Sequence, residues 1–245
     1  MTTSSLPLPR ISRARGKYAV FALIAMMLAY VGVHNESYLI HRQDPFWEHI
    51  QPFKWYLFAH GVAGACALLL APLQFSDRLR RKYVQLHHRV GYIYVLGTAI
   101  AAPFGFYIQY FHERMGSPRS FSFAAATQAT SWILTTSIAM IMILQGKTEA
   151  HRRWMTRSFA VCLVFLEVRA VEGITGWDTL SVSVDETVVW ACNVFTLLAA
   201  DMVLQVQELV RSGPQRKAAR SMGSSAGAIR PAIHESGTSA TSLQP

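Results

Sequence analysis

Charge is scarce in this sequence. Only 15% of its 245 residues are Asp, Glu, Lys or Arg, against about 25% in a soluble domain. The shortage is uneven. Several runs of about 20 residues hold almost no charge, and the segments between them are crowded with it. A single soluble core would mix apolar and charged residues at helical or strand period.

Cysteine is scarce too. Cys66, Cys162 and Cys192 all lie within apolar runs and lack metal-ligand spacing, which leaves no disulfide framework and fits small packing residues. Motifs of soluble chemistry are missing. There is no P-loop, Gly-x-Gly-x-x-Gly, His-Glu-x-x-His, Cys-x-x-Cys or Gly-x-Ser-x-Gly. The polar segments are only about 10–15 residues long, too short for a catalytic domain. These absences point away from a stand-alone enzyme. No inverted repeat or pair of broken helices marks a secondary transporter. The net charge of +9 does not imply nucleic acid, because the basic residues sit beside apolar spans.

What is present is a series of six apolar stretches: 17–34, 55–75, 90–110, 121–145, 154–175 and 186–209. Each is long enough to cross the hydrocarbon core as a helix, and none alternates as a barrel strand does. The expected fold class is therefore an all-α membrane protein with six transmembrane helices. A basic arm covers 1–16, the membrane domain 17–210 and a Ser/Gly/Ala-rich tail 211–245. The tail cannot bury enough apolar surface to offset ordering, so disorder is expected there. The first span follows Arg10, Arg13, Arg15 and Lys17 and lacks a small-residue cleavage site, as an uncleaved signal-anchor does.

Lys and Arg alternate between the connections. The N-terminal arm together with Lys17 holds four, the 76–89 segment five, the 146–157 segment four and the tail five. The opposite connections hold Arg42, Lys54, Arg114 and Arg119. The positive-inside rule then places both termini in the cytoplasm. Gly97, Ala101 and Gly105 form a small-residue stripe for close helix approach, and Gly61 and Ala65 repeat the pattern one span earlier. Pro103 should bend the third span. Gln128, Ser131 and Thr135 share a face of the fourth, which is expected to point inward for interhelical hydrogen bonds.

Ionisable groups inside a bilayer are costly and each is a site hypothesis. One layer holds His87, His88, His151 and Asp201. The other holds His60, His112, Glu167, Arg169 and Glu172. His87, Gly91 and Tyr94 share one helix face, as do His151, Trp154, Met155 and Ser158. Both histidines enter helices running the same way, so they should sit at one depth, where a helix N-terminus favours neutral imidazole. Neutral imidazole ligates haem iron. One hypothesis is thus a membrane redox component holding b-type haem between His87 and His151, with His60 and His112 as a weaker pair. The other is a non-redox protein whose His, Arg and Trp residues anchor helix ends in headgroups, acting as a small transporter, lipid-interacting protein or assembly partner. Arg169 and Glu172, at i and i+3, are spaced to pair.

Two blocks carry a resemblance. The first is Ala71-Pro72-Leu73-Gln74-Phe75, the basic run 78–82, and His87, Gly91 and Tyr94. The second is His151-Arg152-Arg153-Trp154-Met155-Thr156-Arg157-Ser158. Together they resemble an uncharacterised bacterial family of polytopic membrane proteins, domain of unknown function 2306. Ala71 stands where that family usually has Gly. The resemblance covers about 55–175 and implies a four-helix core of spans two to five, flanked by the first and sixth. It brings no activity. The expected setting is a bacterial inner membrane, with the lipid bilayer as partner and a homo-oligomer or membrane redox protein as a further one.

Overall fold

A computed structural model describes residues 13–34, 41, 43–113 and 119–227; the side chains of 13–15, 17, 178 and 211–227 are outside that description. The described residues are helical throughout, joined by short turns, with no strand among them. The long helices are α1 (Arg13–His34), α3 (Lys54–Gln74), α5 (Val84–Tyr107), α6 (Ser120–Leu144), α7 (Thr148–Thr175) and α8 (Val182–Gly227). Short helices α2 (Phe46–Ile50) and α4 (Asp77–Lys82) lie between them, a π-helical turn continues α5 over Ile108–Glu113, and a 3-10 turn covers Trp177–Thr179.

The chain divides into two units, Met1–Asp201 and Met202–Pro245. In the second, the helical backbone runs on to Gly227, past the boundary at 210 drawn from composition. The rest of the expected disordered tail, 228–245, lies outside the described residues, as does most of the N-terminal arm.

Four helices are long and apolar enough to cross a membrane: Lys54–Gln74, Val84–Glu113, Ser120–Leu144 and Val182–Val210. The other two expected spans fall short for different reasons. In α1 the apolar stretch is only Tyr18–His34. In α7 length suffices, but Arg157, Glu167, Arg169 and Glu172 interrupt the apolar sequence. Nevertheless α7 has the most buried residues of any helix, ten between Ser158 and Glu172, while Phe165 stays exposed and the Arg169 side chain that covers it partly so. The two facts share a cause. Charge that would be costly against lipid is tolerated where a helix faces protein.

Four helices form the core. α5 packs on α3 and α6, and α7 packs on α6 and α3, so α5 and α7 face each other across the diagonal; α1 lies against α7. The α3–α5 contact is the closest approach. A Cβ on Gly97 would lie 2.7 Å from the Ala63 carbonyl oxygen and one on Gly105 2.7 Å from the His60 ring, while Gly64 lies 3.9 Å from the Ala101 methyl. The small-residue stripe of α5 therefore faces α3, as its period implies. Its partner face on α3 is Ala63, Gly64, Ala67 and Ala71. Gly61 and Ala65 are exposed instead, because the true stripe runs through 63, 67 and 71.

Helix ends follow local chemistry. The Leu79 N–H donates to the Ser76 hydroxyl at the start of α4, whose last turn carries Arg80, Arg81 and Lys82, a charge order that suits the macrodipole. Gly176, at φ 67°, donates its N–H to the Glu172 carbonyl and ends α7, the role for which a left-handed conformation needs glycine.

Candidate functional site

Both motif blocks meet at one end of the four-helix core. α3 and α6 end there and α5 and α7 begin there, as the pairings Gln74 with His87, Trp132 with Tyr94 and Ala139 with His151 require. His87 and His151 each lie in the first turn of their helix. Burial and the neighbouring His88, Arg80 and His151 all bear on the His87 ring. The structure thus brings together the two histidines that the sequence pairs by depth.

Gln74 Nε2 donates to the His87 carbonyl at 2.9 Å, tying the end of α3 to the start of α5. Gly91 lies directly beneath it. A Cβ there would sit 3.7 Å from Gln74 Oε1, so the space opened by Gly91 is filled by the Gln74 amide. It does not form part of a haem-sized gap.

Two turns into the bundle, Tyr94 and Ser158 bridge the diagonal. Their hydroxyls are 2.8 Å apart. Ser158 also lies 2.7 Å from the Thr136 hydroxyl, and Trp132 Nε1 donates to the Tyr94 oxygen at 3.1 Å. Thr98 donates back to the Tyr94 carbonyl. Tyr94 and Ser158 are completely buried. Every polar atom of this cluster is satisfied, the condition under which a buried network stabilises rather than strains a core. Thr136 and Trp132 belong to α6. Of the face expected to point inward there, Gln128 Nε2 donates to the Val161 carbonyl of α7 at 3.5 Å, and Thr135 is buried while its hydroxyl bonds back to its own helix. Trp132, Thr136 and Ala139 complete the buried row. That row has helical period and could have been found from it.

His151 donates from Nδ1 to the Ala139 carbonyl at 2.8 Å, which in the neutral ring leaves Nε2 as the acceptor. Arg157 extends over the Trp154 ring and donates from Nε to Asp201 of α8 at 2.7 Å. Met155 packs against the main apolar cluster. Nδ1 of His87 is buried with no hydrogen-bond partner.

At the opposite end the second histidine pair separates into two environments. His60 donates from Nδ1 to the Ala101 carbonyl at 2.8 Å and fills the space above Gly105. His112 lies in the π-helical turn among Phe53, Tyr56 and Tyr107, with ring centroids 5.1, 6.4 and 5.5 Å away. His60 thus serves as a group that joins α3 to α5, and His112 sits inside an aromatic box. Arg169 reaches Glu172 at 4.0 Å, the outer limit of an ion pair, and covers the Phe165 ring.

Residues 57–204 match the family described as "Predicted membrane protein (DUF2306)". The chain belongs to this family. No curated protein and no solved structure matches it. The family region contains both motif blocks and ends just beyond Asp201, so the Arg157–Asp201 pair lies within it. Family membership establishes a membrane protein without a known activity. Among the described residues no three His, Cys, Asp or Glu side chains converge as a metal-binding group. Two cavities, of about 380 and 270 Å³, open between helices, and none of His60, His87, His112 or His151 lines either.

Sequence reasoning missed two contacts that join α7 to α8. One is Arg157 with Asp201. The other is a hydrogen bond from the Thr196 hydroxyl to the Glu167 carboxyl group. Each acid was visible as an ionisable group in an apolar run, but its partner lies on a helix whose rotation no single-span period fixes.

Proposed function

We propose that this is a non-redox, multi-pass membrane protein whose two motif blocks lock one end of a four-helix core and present a basic surface to anionic lipid headgroups. The observation that carries this reading is how the motif's polar atoms are used. Gln74, Tyr94, His151, Arg157 and Ser158 all bond to other helices. The neighbouring Arg78, Arg81, Lys82, Arg89, Lys147 and Arg152 are exposed at the same end of the bundle. Clusters of four or more basic residues beside a span attract anionic headgroups by about 1 kcal/mol each at the surface. In this reading α1 and α7 also cross the membrane, giving six crossings with the basic end and both termini in the cytoplasm of a bacterial inner membrane.

The test is lipid retention. Protein purified in mild detergent and sprayed intact into a mass spectrometer should carry anionic phospholipid in preference to zwitterionic phospholipid. Replacing Arg78, Arg81 and Lys82 together by Gln should abolish that preference. Equal retention of both lipid classes by the wild-type protein would overturn the reading.

A haem-binding redox role keeps one observation in its favour. Nδ1 of His87 is buried and unpartnered at the end of the core that also holds His151, whose Nδ1 is taken by the Ala139 carbonyl. The space along Gly91 on which that reading relied is occupied by Gln74, and the Tyr94–Ser158 bridge closes the diagonal two turns deeper. Absorption spectra of oxidised and reduced protein separate the two roles.

A further inference from the structure

The α7–α8 contact contains an acid that the motif cluster does not use. Glu167 lies ten residues beyond Arg157, about 15 Å further along the helix. Its carboxylate accepts from the Thr196 hydroxyl. Thr196 is the middle residue of Val182–Val210, one of the four helices able to cross a membrane. Glu167 is thus held at the centre of an apolar span, away from either end.

The groups around it are known from every side. From α8 come Thr196 and Cys192, from α1 Met27, and from the 3-10 turn Trp177. On α7 the nearest acid is Glu172, which takes Arg169 as its partner. Glu167 makes no ion pair among the described residues, and no basic side chain lines the space beside it. That space is the cavity of about 380 Å³, walled by Met27, Val171, Val188, Ala191 and Phe195 in addition to Glu167, Cys192 and Trp177. Its exposed wall is entirely apolar, because the carboxyl group is turned toward Thr196.

An ionised carboxylate without a cation is several kcal/mol too costly in such surroundings. The neutral acid, with one oxygen accepting from Thr196, has no such cost. We infer that Glu167 and Thr196 form an intramembrane proton-binding site, with Glu167 carrying the proton and the apolar cavity between α1, α7 and α8 giving hydrophobic molecules access to it. The ligand is the proton. A structural role alone would need only the hydrogen bond, which Gln could also make, and would need no cavity at the acid.

Dicyclohexylcarbodiimide tests this on the intact protein in lipid nanodiscs. The carboxylic O–H adds across a C=N bond of the reagent: oxygen bonds to the central carbon, the proton moves to nitrogen, and the acyl group then migrates to nitrogen as a stable acylurea with nothing released. The reaction needs a protonated acid that an apolar reagent can reach. Peptide mapping should place the adduct on Glu167, and a water-soluble carbodiimide under the same conditions should leave Glu167 unmodified while labelling exposed acids such as Glu149. Infrared difference spectra should show a carboxylic-acid C=O band that disappears in Glu167→Gln. The site is refuted by a wild-type protein with no adduct at Glu167, by equal labelling with the water-soluble reagent, or by a C=O band unchanged in Glu167→Gln. The wild-type mapping stands even if that variant fails to fold.

Discussion

Tyr94 and Ser158 belong to helices that do not pack side by side, yet their hydroxyls meet at 2.8 Å. The contact spans the diagonal of the core and is completed by Trp132 and Thr136 from a third helix. Tyr94→Phe should leave the Trp132 N–H without its acceptor and Ser158 with one partner fewer. An unsatisfied buried group costs about 1–3 kcal/mol, so the variant should melt at a clearly lower temperature in detergent, with helix content unchanged by circular dichroism. A melting curve matching the wild type would show that the bridge adds nothing to stability.

Two glycines of α5 make a matched test of packing. A methyl group at Gly97 would lie 2.7 Å from the Ala63 backbone oxygen, whereas one at Gly91 would lie no closer than 3.7 Å to Gln74. Gly97→Ala should therefore destabilise by about 1–3 kcal/mol, as overpacking does. Gly91→Ala should stay within about 0.5 kcal/mol of the parent. Thermal denaturation of both variants decides it, and a reversed order would mean that the α3–α5 contact is mispaired.

Arg157 and Asp201 offer a test of the α7–α8 contact. Both side chains keep some solvent exposure, so screening limits the pair, and a double-mutant cycle should give a coupling of about 0.5–1 kcal/mol. The cycle uses Arg157→Gln, Asp201→Asn and the double variant, read by denaturation. Strictly additive effects would mean that the two residues do not meet.

Topology is tested by reporter fusions after residues 44, 80, 116, 149, 180 and 215. The basic alternation predicts outside, inside, outside, inside, outside, inside. Neighbouring fusions on the same side around α1 or α7 would identify which of the two fails to cross.

Absorption spectroscopy separates the two functional readings. The non-redox reading predicts that protein from haem-replete cells is colourless, with no Soret band and no change on dithionite reduction. A Soret band lost in both His87→Ala and His151→Ala would establish haem ligation instead.

Much of the fold was legible in single-helix periods. Apolar length located the helices, and the four-residue spacing of Gly97, Ala101 and Gly105 identified the face of α5 that meets α3. The depth argument placed His87 and His151 at one end. What escaped were relations between helices. Two small-residue stripes compete on α3, and only the one through Ala63 and Ala67 is buried. On α6 both Thr135 and Thr136 are buried, but only the Thr136 hydroxyl reaches Ser158 of another helix, a choice between adjacent hydroxyls that polarity alone does not resolve. The pairs Arg157–Asp201 and Thr196–Glu167 need the mutual rotation of α7 and α8, which neither sequence states. The length rule also counted α7 as equivalent to its neighbours, when its charges mark it as the interior member.

The charges of α7 bear on how the protein is made. An arginine or acid near the middle of a helix opposes entry from the translocon into lipid by about 2.5–3.5 kcal/mol, and α7 has several between Arg157 and Glu172. Its predecessor α6 has no charged residue between Ser120 and Leu144 and is joined to it by only three residues, 145–147. In the six-crossing reading proposed above, satisfying α7 before it meets acyl chains requires α6 to be at hand, so the two enter as a hairpin. Arg157 and Glu167 remain without their α8 partners until the chain has been synthesised past Asp201. Biogenesis is thus committed late, and a ribosome stalled before residue 196 leaves behind a helix that the bilayer has reason to reject.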